Sequence, residues 1–164
     1  MLTGAVLTGA TLTAELASVV AGARRRALRD GDRHIDTAHL LHSLVETDAE
    51  VRAAFTGAGQ LARVLGYLVQ RSIGYGLRWQ GAVEDSGVVP VHDAGIAGWS
   101  PAASAAMKGA LERAARRGEP CATCLDLLGA VAADRDCRAV EVLERAGVDG
   151  TWLQVRIEEL SQQV

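Results

Sequence analysis

The feature that most constrains this chain of 164 residues is an internal repeat. At an offset of 87 residues, Thr13 aligns with Ser100 and Gly31 aligns with Gly118, and no gap is needed between them. A repeat of this length indicates one structural unit used twice, which decides the architecture before any local pattern does. Further matches are Val20 with Met107, Ala23 with Ala110, Ala27 with Ala114, Thr37 with Cys124, and Leu40-Leu41 with Leu127-Leu128; one inserted residue then aligns Gly59 with Gly147.

Each copy carries the signals of four helices. A hydroxyl residue, Thr13 or Ser100, precedes the first helix as its N-cap, and Gly31 or Gly118 provides its stop. Between these positions, apolar residues recur at three- and four-residue steps, which predicts one buried stripe. The stripe consists of Leu16, Val19, Val20, Ala23 and Ala27 in the first copy, and of Ala103, Met107, Ala110, Leu111 and Ala114 in the second.

The later helices are predicted from the same kinds of signal. The second helix of each copy begins near Asp36-Thr37 or Thr123, and the third runs over about 50–55 or 138–145. We therefore predict an all-α fold in which two tandem, pseudo-twofold-related four-helix repeats form one compact domain over 1–164. The repeats span about 12–72 and 99–163, and the glycine-containing stretch of about 73–98 is a linker or ordered loop. Neither copy is large enough to be robust alone, so the two are expected to pack face to face.

Composition and charge exclude several classes of function. Apolar residues make up 49% of the chain, and the net charge is −3 with both signs mixed along it. Nucleic-acid-binding domains usually carry a basic excess, so nucleic acid is not an expected partner. No stretch reaches the ~20 apolar residues of a membrane span, and 1–13 lacks the basic start of a signal peptide. The odd number of cysteines fits reduced thiols, so we expect a cytoplasmic protein without a membrane partner.

In order and spacing, these motifs resemble the Clp N-terminal domain, the double-repeat domain at the front of the ClpA, ClpB and ClpC unfoldases. In that family each repeat opens with Phe-Thr-x-x-Ala, reaches a glycine after its first helix, continues with Thr-Glu-His-Leu-Leu and closes with a Val-Leu…Gly-Val/Ile segment. The resemblance covers about 12–162. The matching segments are Leu12-Thr13-Ala14-Glu15-Leu16, Gly31 and Thr37-Ala38-His39-Leu40-Leu41 in the first copy, and Trp99-Ser100-Pro101-Ala102-Ala103, Gly118, Leu127-Leu128 and Val142-Leu143-Glu144-Arg145-Ala146-Gly147-Val148-Asp149 in the second.

The resemblance implies an all-helical module that binds protein substrates and adaptor proteins and delivers them to ATP-driven rings. The sequence contains no G-x-x-x-x-G-K-[ST] phosphate loop, so it lacks the ATPase of such a ring. We therefore expect a non-catalytic binding protein without a cofactor or metal, similar to stand-alone N-domain proteins found beside ClpC in actinobacteria. Its expected role is an adaptor for a Clp protease, or a decoy that captures ligands of ClpC such as cyclic-peptide antibiotics.

The resemblance also implies where ligands bind. In actinobacterial ClpC, an apolar surface at the starts of the two first helices takes cyclic-peptide antibiotics, and the N-cap hydroxyls mark helix N-termini where a phosphate can bind. Trp99 is either an anchor for a ligand or a hydrophobic staple over its own helix. The candidate binding residues are Thr13, Val20, Ala21, Trp99, Ser100, Ser104 and Lys108.

One departure from the family weakens its most specific ligand. The glutamate of Thr-Glu-His is tied to phosphoarginine recognition in ClpC-type domains, where a carboxylate pairs with the guanidinium. Ala38 and Leu125 stand at that position in the two copies, and Asp126 is one residue out of register and faces elsewhere on its helix.

Other residue clusters give weaker signals. Cys121-x-x-Cys124 with Cys137 suggests zinc, but no second pair is present and Cys124 stands in the place of Thr37, which favours a small buried or capping residue. His39 and His42 have no evident third ligand, and we interpret His39 as a partly buried helix residue. The arginines of 24–29 are typical of a solvated, dipole-favoured helix end. No local signature links a nucleophile to a base. The alternative hypothesis is a regulator or small enzyme that reuses the fold with a bound metal or small ligand.

Overall fold

The computed structural model describes residues 11–72 and 98–163. The first copy contains α1 (Ala14–Arg29), α2 (Thr37–Thr47), α3 (Ala49–Ala53) and α4 (Gly57–Ser72). The second contains α5 (Pro101–Arg116), α6 (Cys124–Ala133), α7 (Arg138–Arg145) and α8 (Gly150–Ser161). The prediction of an all-α fold made of two tandem four-helix repeats is confirmed. Except for Gly98, the predicted linker of 73–98 lies outside the described residues, as does most of 1–13.

The predicted ends of the two first helices are also confirmed. The hydroxyl of Thr13 accepts from the amide N–H of Leu16 at 3.1 Å, and that of Ser100 accepts from Ala103 at 3.1 Å. After α1 and α5, Gly31 and Gly118 each adopt a φ of 73°, a left-handed conformation that glycine enters without steric cost. The same signal therefore starts and stops the first helix in both copies.

The alignment of Gly59 with Gly147 is wrong at the level of backbone conformation. The left-handed glycines near the junctions of the third and fourth helices are Gly57 and Gly147, with φ values of 65° and 82°. Gly59 lies inside α4. The two copies differ in length between these helices, and a gapped alignment cannot tell which of two nearby glycines makes the turn.

Four two-residue strands join the copies in a way that the sequence analysis did not anticipate. They are β1 (Thr11–Leu12), β2 (His34–Ile35), β3 (Gly98–Trp99) and β4 (Cys121–Ala122). β1 pairs in parallel with β4, and β2 pairs in parallel with β3. The strand that enters the first helix of each copy therefore pairs with the strand that enters the second helix of the other copy.

Helix contacts cross between the copies in the same reciprocal way. α4 packs on α7, and α3 packs on α6. The side chain of Arg63 on α4 donates to the carbonyl of Ala146 at the end of α7 at 3.1 Å, and Arg156 on α8 donates to Ala53 at the end of α3 at 3.0 Å. Each fourth helix thus satisfies a terminal carbonyl of the other copy's third helix, an end that otherwise lacks an intrahelical partner.

The core is centred on the two second helices. Every residue of 37–45 in α2 is buried, and α6 is buried at nearly every position. The predicted stripes pack against these helices, except that Val20 and Met107 are only half-buried at the stripe edges. Within 11–72 and 98–163, no helix combines the length and apolarity needed to cross a membrane.

Candidate functional site

The two N-cap hydroxyls of the candidate surface are already engaged. Thr13 is half-buried, and its backbone N–H also donates to the carbonyl of Ala122 at 3.0 Å. Ser100 is completely buried, and its backbone N–H donates to Ile35 at 2.9 Å. Ser100 therefore serves the start of α5 and the joined strands, and a ligand phosphate has no open approach to its hydroxyl.

The other candidate residues lie on two helices. Ala21 on α1 and Lys108 on α5 occupy the same position in the two copies, and both are exposed. Val20 adjoins Ala21 and is half-buried, whereas Ser104 is exposed one turn before Lys108. The structure therefore brings these residues together in pairs, one pair on each first helix. α1 packs mainly on α2, and α5 packs mainly on α6.

Trp99 combines features of both interpretations given to it. It lies in β3, where it pairs with Ile35, and its side chain packs against the hydrophobic core. The residue is nevertheless only half-buried, so part of its surface stays accessible next to the start of α5. An aromatic side chain that is held from below and open above has the geometry of a binding anchor.

The two positions that lack the family's carboxylate are closed. Ala38 and Leu125 are each 3% exposed. Asp126 faces away from solvent and is completely buried, where it accepts from the backbone N–H of Thr123 at 2.9 Å and from the guanidinium of Arg117 at 2.9 Å. Its carboxylate is therefore saturated by the chain's own groups.

The three cysteines are free thiols with separate surroundings. Burial raises the pKa of the Cys124 thiol well above its usual value, and a hydrogen bond with Asp48 adds to this. A thiol held in its protonated form is a poor metal ligand. Cys121 lies 3.3 Å from the hydroxyl of Thr11, and Cys137 donates weakly to the carbonyl of Val131. Over the described ranges these thiols form no group with metal-ligand geometry.

His39 lies in a cluster with Asp30 and Asp32 whose ligand atoms are within 4.8 Å of one another. The Nδ1 atom of His39 accepts from the backbone N–H of Asp36 at 2.9 Å, so the ring proton is on Nε2, which donates to Asp32 at 2.7 Å. A metal would need the lone pair of Nε2, and moving the proton to Nδ1 would break the capping bond. His39 is more deeply buried than predicted, at 3% exposure, and it acts as a structural residue.

His42 serves the copy interior rather than a shared ligand site with His39. Its Nε2 atom lies 3.3 Å from a carboxylate oxygen of Glu46. Burial, reinforced by the charge of Arg26, lowers the pKa of His42 to about 4. The imidazole is therefore neutral at pH 7.

Comparison with solved structures defines the class of fold. The chain has the fold of a Clp N-terminal domain. It is similar to the Hsp104 N-terminal domain from Candida albicans, with 13% identity and a TM-score of 0.69 over 92% of this chain and 91% of that one. It is also similar to the N-terminal domain of the chaperone ClpD from Arabidopsis thaliana, with 16% identity and a TM-score of 0.65 over 92% and 94%. A structure from preliminary investigations of a malarial protein secretion system gives 11% identity and 0.68 over 91% and 93%.

These identities are low enough that the similarity lies in the fold rather than in the side chains. No protein-family model and no curated protein matches the sequence. The fold that the motif order predicted is therefore confirmed, while the residues that would carry a function must be judged from their own surroundings.

Proposed function

We propose that this protein is a non-catalytic binding module that works with a Clp protease, either as an adaptor that presents protein cargo or as a decoy that captures ligands of ClpC. The observation that carries the proposal is the agreement with Clp-type N-terminal domains over at least nine-tenths of both chains. Fold similarity alone is an analogy, so the proposal also needs a surface on which a partner can bind.

The surface we propose lies at the first helices and includes Trp99, Lys108 and Ala21. Trp99 offers a large aromatic group fixed by the core, and Lys108 offers a positive charge that is fully accessible. Buried and half-buried aromatic residues surrounded by polar ones often carry most of the binding energy of an interface. Ser104 and Val20 extend the two halves of this surface, and Thr13 and Ser100 shape it through the helix starts.

A pull-down tests the partner. Immobilised protein is mixed with a lysate of its source cells, and bound proteins are identified by mass spectrometry. We expect Clp ATPase subunits to be recovered, and we expect Trp99→Ala and Lys108→Glu to reduce the recovery. Trp152→Ala is the matched control, because Trp152 on α8 is also half-buried against the core but lies outside the proposed surface. If Clp subunits are not enriched over a blank resin, the proposed partner is wrong.

Two further measurements separate the adaptor from the decoy. Calorimetry with a cyclic-peptide antibiotic should show binding that Trp99→Ala weakens by about tenfold or more, about 1.4 kcal/mol. Unchanged affinity in the variant would count against this surface. In a degradation assay with purified ClpC and its protease, an adaptor raises the degradation of its cargo, whereas a decoy restores normal activity when the antibiotic is present.

A further inference from the structure

The groove between α5 and α6 is open, while the equivalent groove of the first copy is filled. Along 87-residue steps, the positions of His42, Ser43 and Glu46 in the first copy are taken by Gly129, Ala130 and Ala133 in the second. Glycine and alanine leave a cavity of about 380 Å³. Because both copies have the same helix arrangement, the fold itself does not require this space.

In the first copy, side chains occupy the groove through specific contacts. The hydroxyl of Ser43 donates to the carbonyl of Val19 at 2.7 Å, and a Cβ atom on Gly22 would lie only 2.6 Å from that hydroxyl oxygen. Glu46 closes the groove by pairing with Arg26. In the second copy the helices approach closely at one point only, where a Cβ atom on Gly109 would lie 3.1 Å from the Cβ of Ala130.

The two ends of the open groove have different charges. Glu112, Arg113 and Arg116 form one end, and Asp134 lies at the other. Arg113 is held against α6 by an ion pair with Glu158 at 2.9 Å, whereas Arg116 is exposed and makes no ion pair with any residue of the described ranges. Glu112 is one turn from Arg116 on α5 without pairing to it. An uncommitted guanidinium at the end of an apolar floor suits a carboxylate, which it can bind through two hydrogen bonds.

The length of the groove sets the size of its occupant. Ala102 and Arg116 both line it, and 14 residues of α-helix extend about 21 Å. An extended peptide covers that length with about six residues at ~3.4 Å each. The floor of alanine and glycine admits small and medium apolar side chains.

We propose that this groove binds an extended apolar peptide segment of about six residues whose carboxylate pairs with Arg116. Such binding deepens the proposed role as a binding module, since it names a class of cargo, but it requires no Clp ring. The carboxylate comes from one of two sources, the C-terminus of the bound chain or an acidic side chain within it.

Direct titration of the purified protein tests this. The probes are a fluorescently labelled Ala-Leu-Ala-Leu-Ala-Ala peptide with a free C-terminus, the same peptide as its C-terminal amide, and an amidated peptide with glutamate at its last position. We expect the free-acid peptide to bind about tenfold more tightly than its amide, measured by fluorescence anisotropy. Tight binding of the glutamate peptide identifies a side-chain carboxylate as a ligand, and weak binding restricts the site to a chain terminus.

Matched variants locate the binding. Ala105→Trp fills the groove from an exposed position of its lining and should abolish binding, whereas Ala115→Trp, at an exposed position of the same helix outside the lining, should not. Arg116→Gln should remove the preference for the free acid. Its control is Arg29→Gln, because Arg29 is the exposed equivalent of Arg116 in the first copy.

The outcome that overturns the proposal does not depend on variant folding. In the wild-type protein labelled with ¹⁵N, the amide signals of Gly109 and Gly129 should shift on addition of the free-acid peptide. Equal affinity for acid and amide, no binding at all, or binding that leaves both signals unmoved would each overturn it. Peptide binding without recovery of Clp subunits would refute the proposed partner while leaving the groove intact.

Discussion

The second helices show how one position can be built in two ways. In α2, the N-cap is Asp36, whose carboxylate accepts from the backbone N–H of His39, and the ring of His39 accepts in return. In α6 the N-cap is Thr123 and the residue that answers it is Asp126. Both copies therefore bury one carboxylate at the start of the second helix, but they place it at opposite ends of the capping box.

Asp36 is the carboxylate that also ties the copies together. Burial alone would raise its pKa, but His39, Arg71 and Arg138 together hold the pKa of this carboxyl below its usual value. Arg71 lies 3.2 Å and Arg138 3.0 Å from the same oxygen atom. Because Arg138 belongs to the second copy, the charge of Asp36 is shared across the interface.

Asp36→Asn should lower the free energy of unfolding by about 3 kcal/mol, since it leaves two largely buried guanidinium groups without their anion. Urea unfolding at pH 7 measures this. Asp32→Asn is the control, because Asp32 is 45% exposed and should cost less than about 1 kcal/mol. The contribution of Asp36 is present above the unfolded-state pKa and is lost as pH falls through the lower folded-state pKa. A loss no greater than that of Asp32→Asn would show that the two arginines do not depend on Asp36.

His42 should make stability depend on pH in a higher window. Its pKa is about 4 in the folded chain and 6.5 when exposed, so the unfolded chain takes up a proton that the folded chain excludes. As pH falls from 6.5 towards 4, the free energy of unfolding should decrease by up to about 1.4 kcal/mol per unit. His42→Gln should flatten this part of the profile in thermal melts, and His34→Gln, at a half-buried site in β2, should not. Parallel profiles for the wild type and His42→Gln would contradict the expectation.

At the scale of elements, the copies complete one another's helix starts. The hydroxyl of Thr37, at the first turn of α2, accepts from the backbone N–H of Ala139 in α7 at 3.0 Å. Cys137, the N-cap of α7, makes no such side-chain bond. Cys124, which takes the place of Thr37 in α6, contacts Asp48 at the start of α3. The predicted role of Cys124 as a small buried residue in the place of Thr37 therefore agrees with its position.

Thr37→Val should destabilise the protein by about 1 kcal/mol, because valine matches the shape of threonine but leaves the N–H of Ala139 buried without that acceptor. Thr47→Val is a matched control on the same helix, since Thr47 is exposed and its hydroxyl bonds only the carbonyl of Ser43. Chemical unfolding of both variants at one pH gives the comparison. Equal effects would mean that Thr37 does not cap α7.

The helices could be predicted because their signals are local. Thr13 and Gly31 sit at the two ends of α1, and a three- and four-residue period lies between them. The strands could not be predicted, because two residues carry no period and Thr11 pairs with Cys121, 110 positions away. The candidate surface was predicted only in part, since the sequence gives no sign that Ser100 is buried. The open groove could have been noticed from Gly129 and Ala130 opposite His42 and Ser43 in the repeat alignment.

At the scale of the whole molecule, reciprocal contacts should make each half dependent on the other. Strand pairs, helix caps and the ion pair of Asp36 with Arg138 all join one copy to the other. Separate fragments 1–85 and 86–164 should therefore show little helix by circular dichroism, because each lacks the partner surfaces of its core. Mixing them in equal amounts should restore the helical signal and a cooperative melt. A stable, helical fragment on its own would contradict this interdependence.

The crossed strands have a consequence for how the two halves change over time. Contacts in which each half gives what it receives are those of an isologous dimer, and a dimer of identical chains must accept every substitution twice. Joining the halves into one polypeptide removes that constraint. Serine at position 43 can keep one half solid while alanine at position 130 hollows the other, so this architecture allows one face to be retained for stability and its twin to diversify.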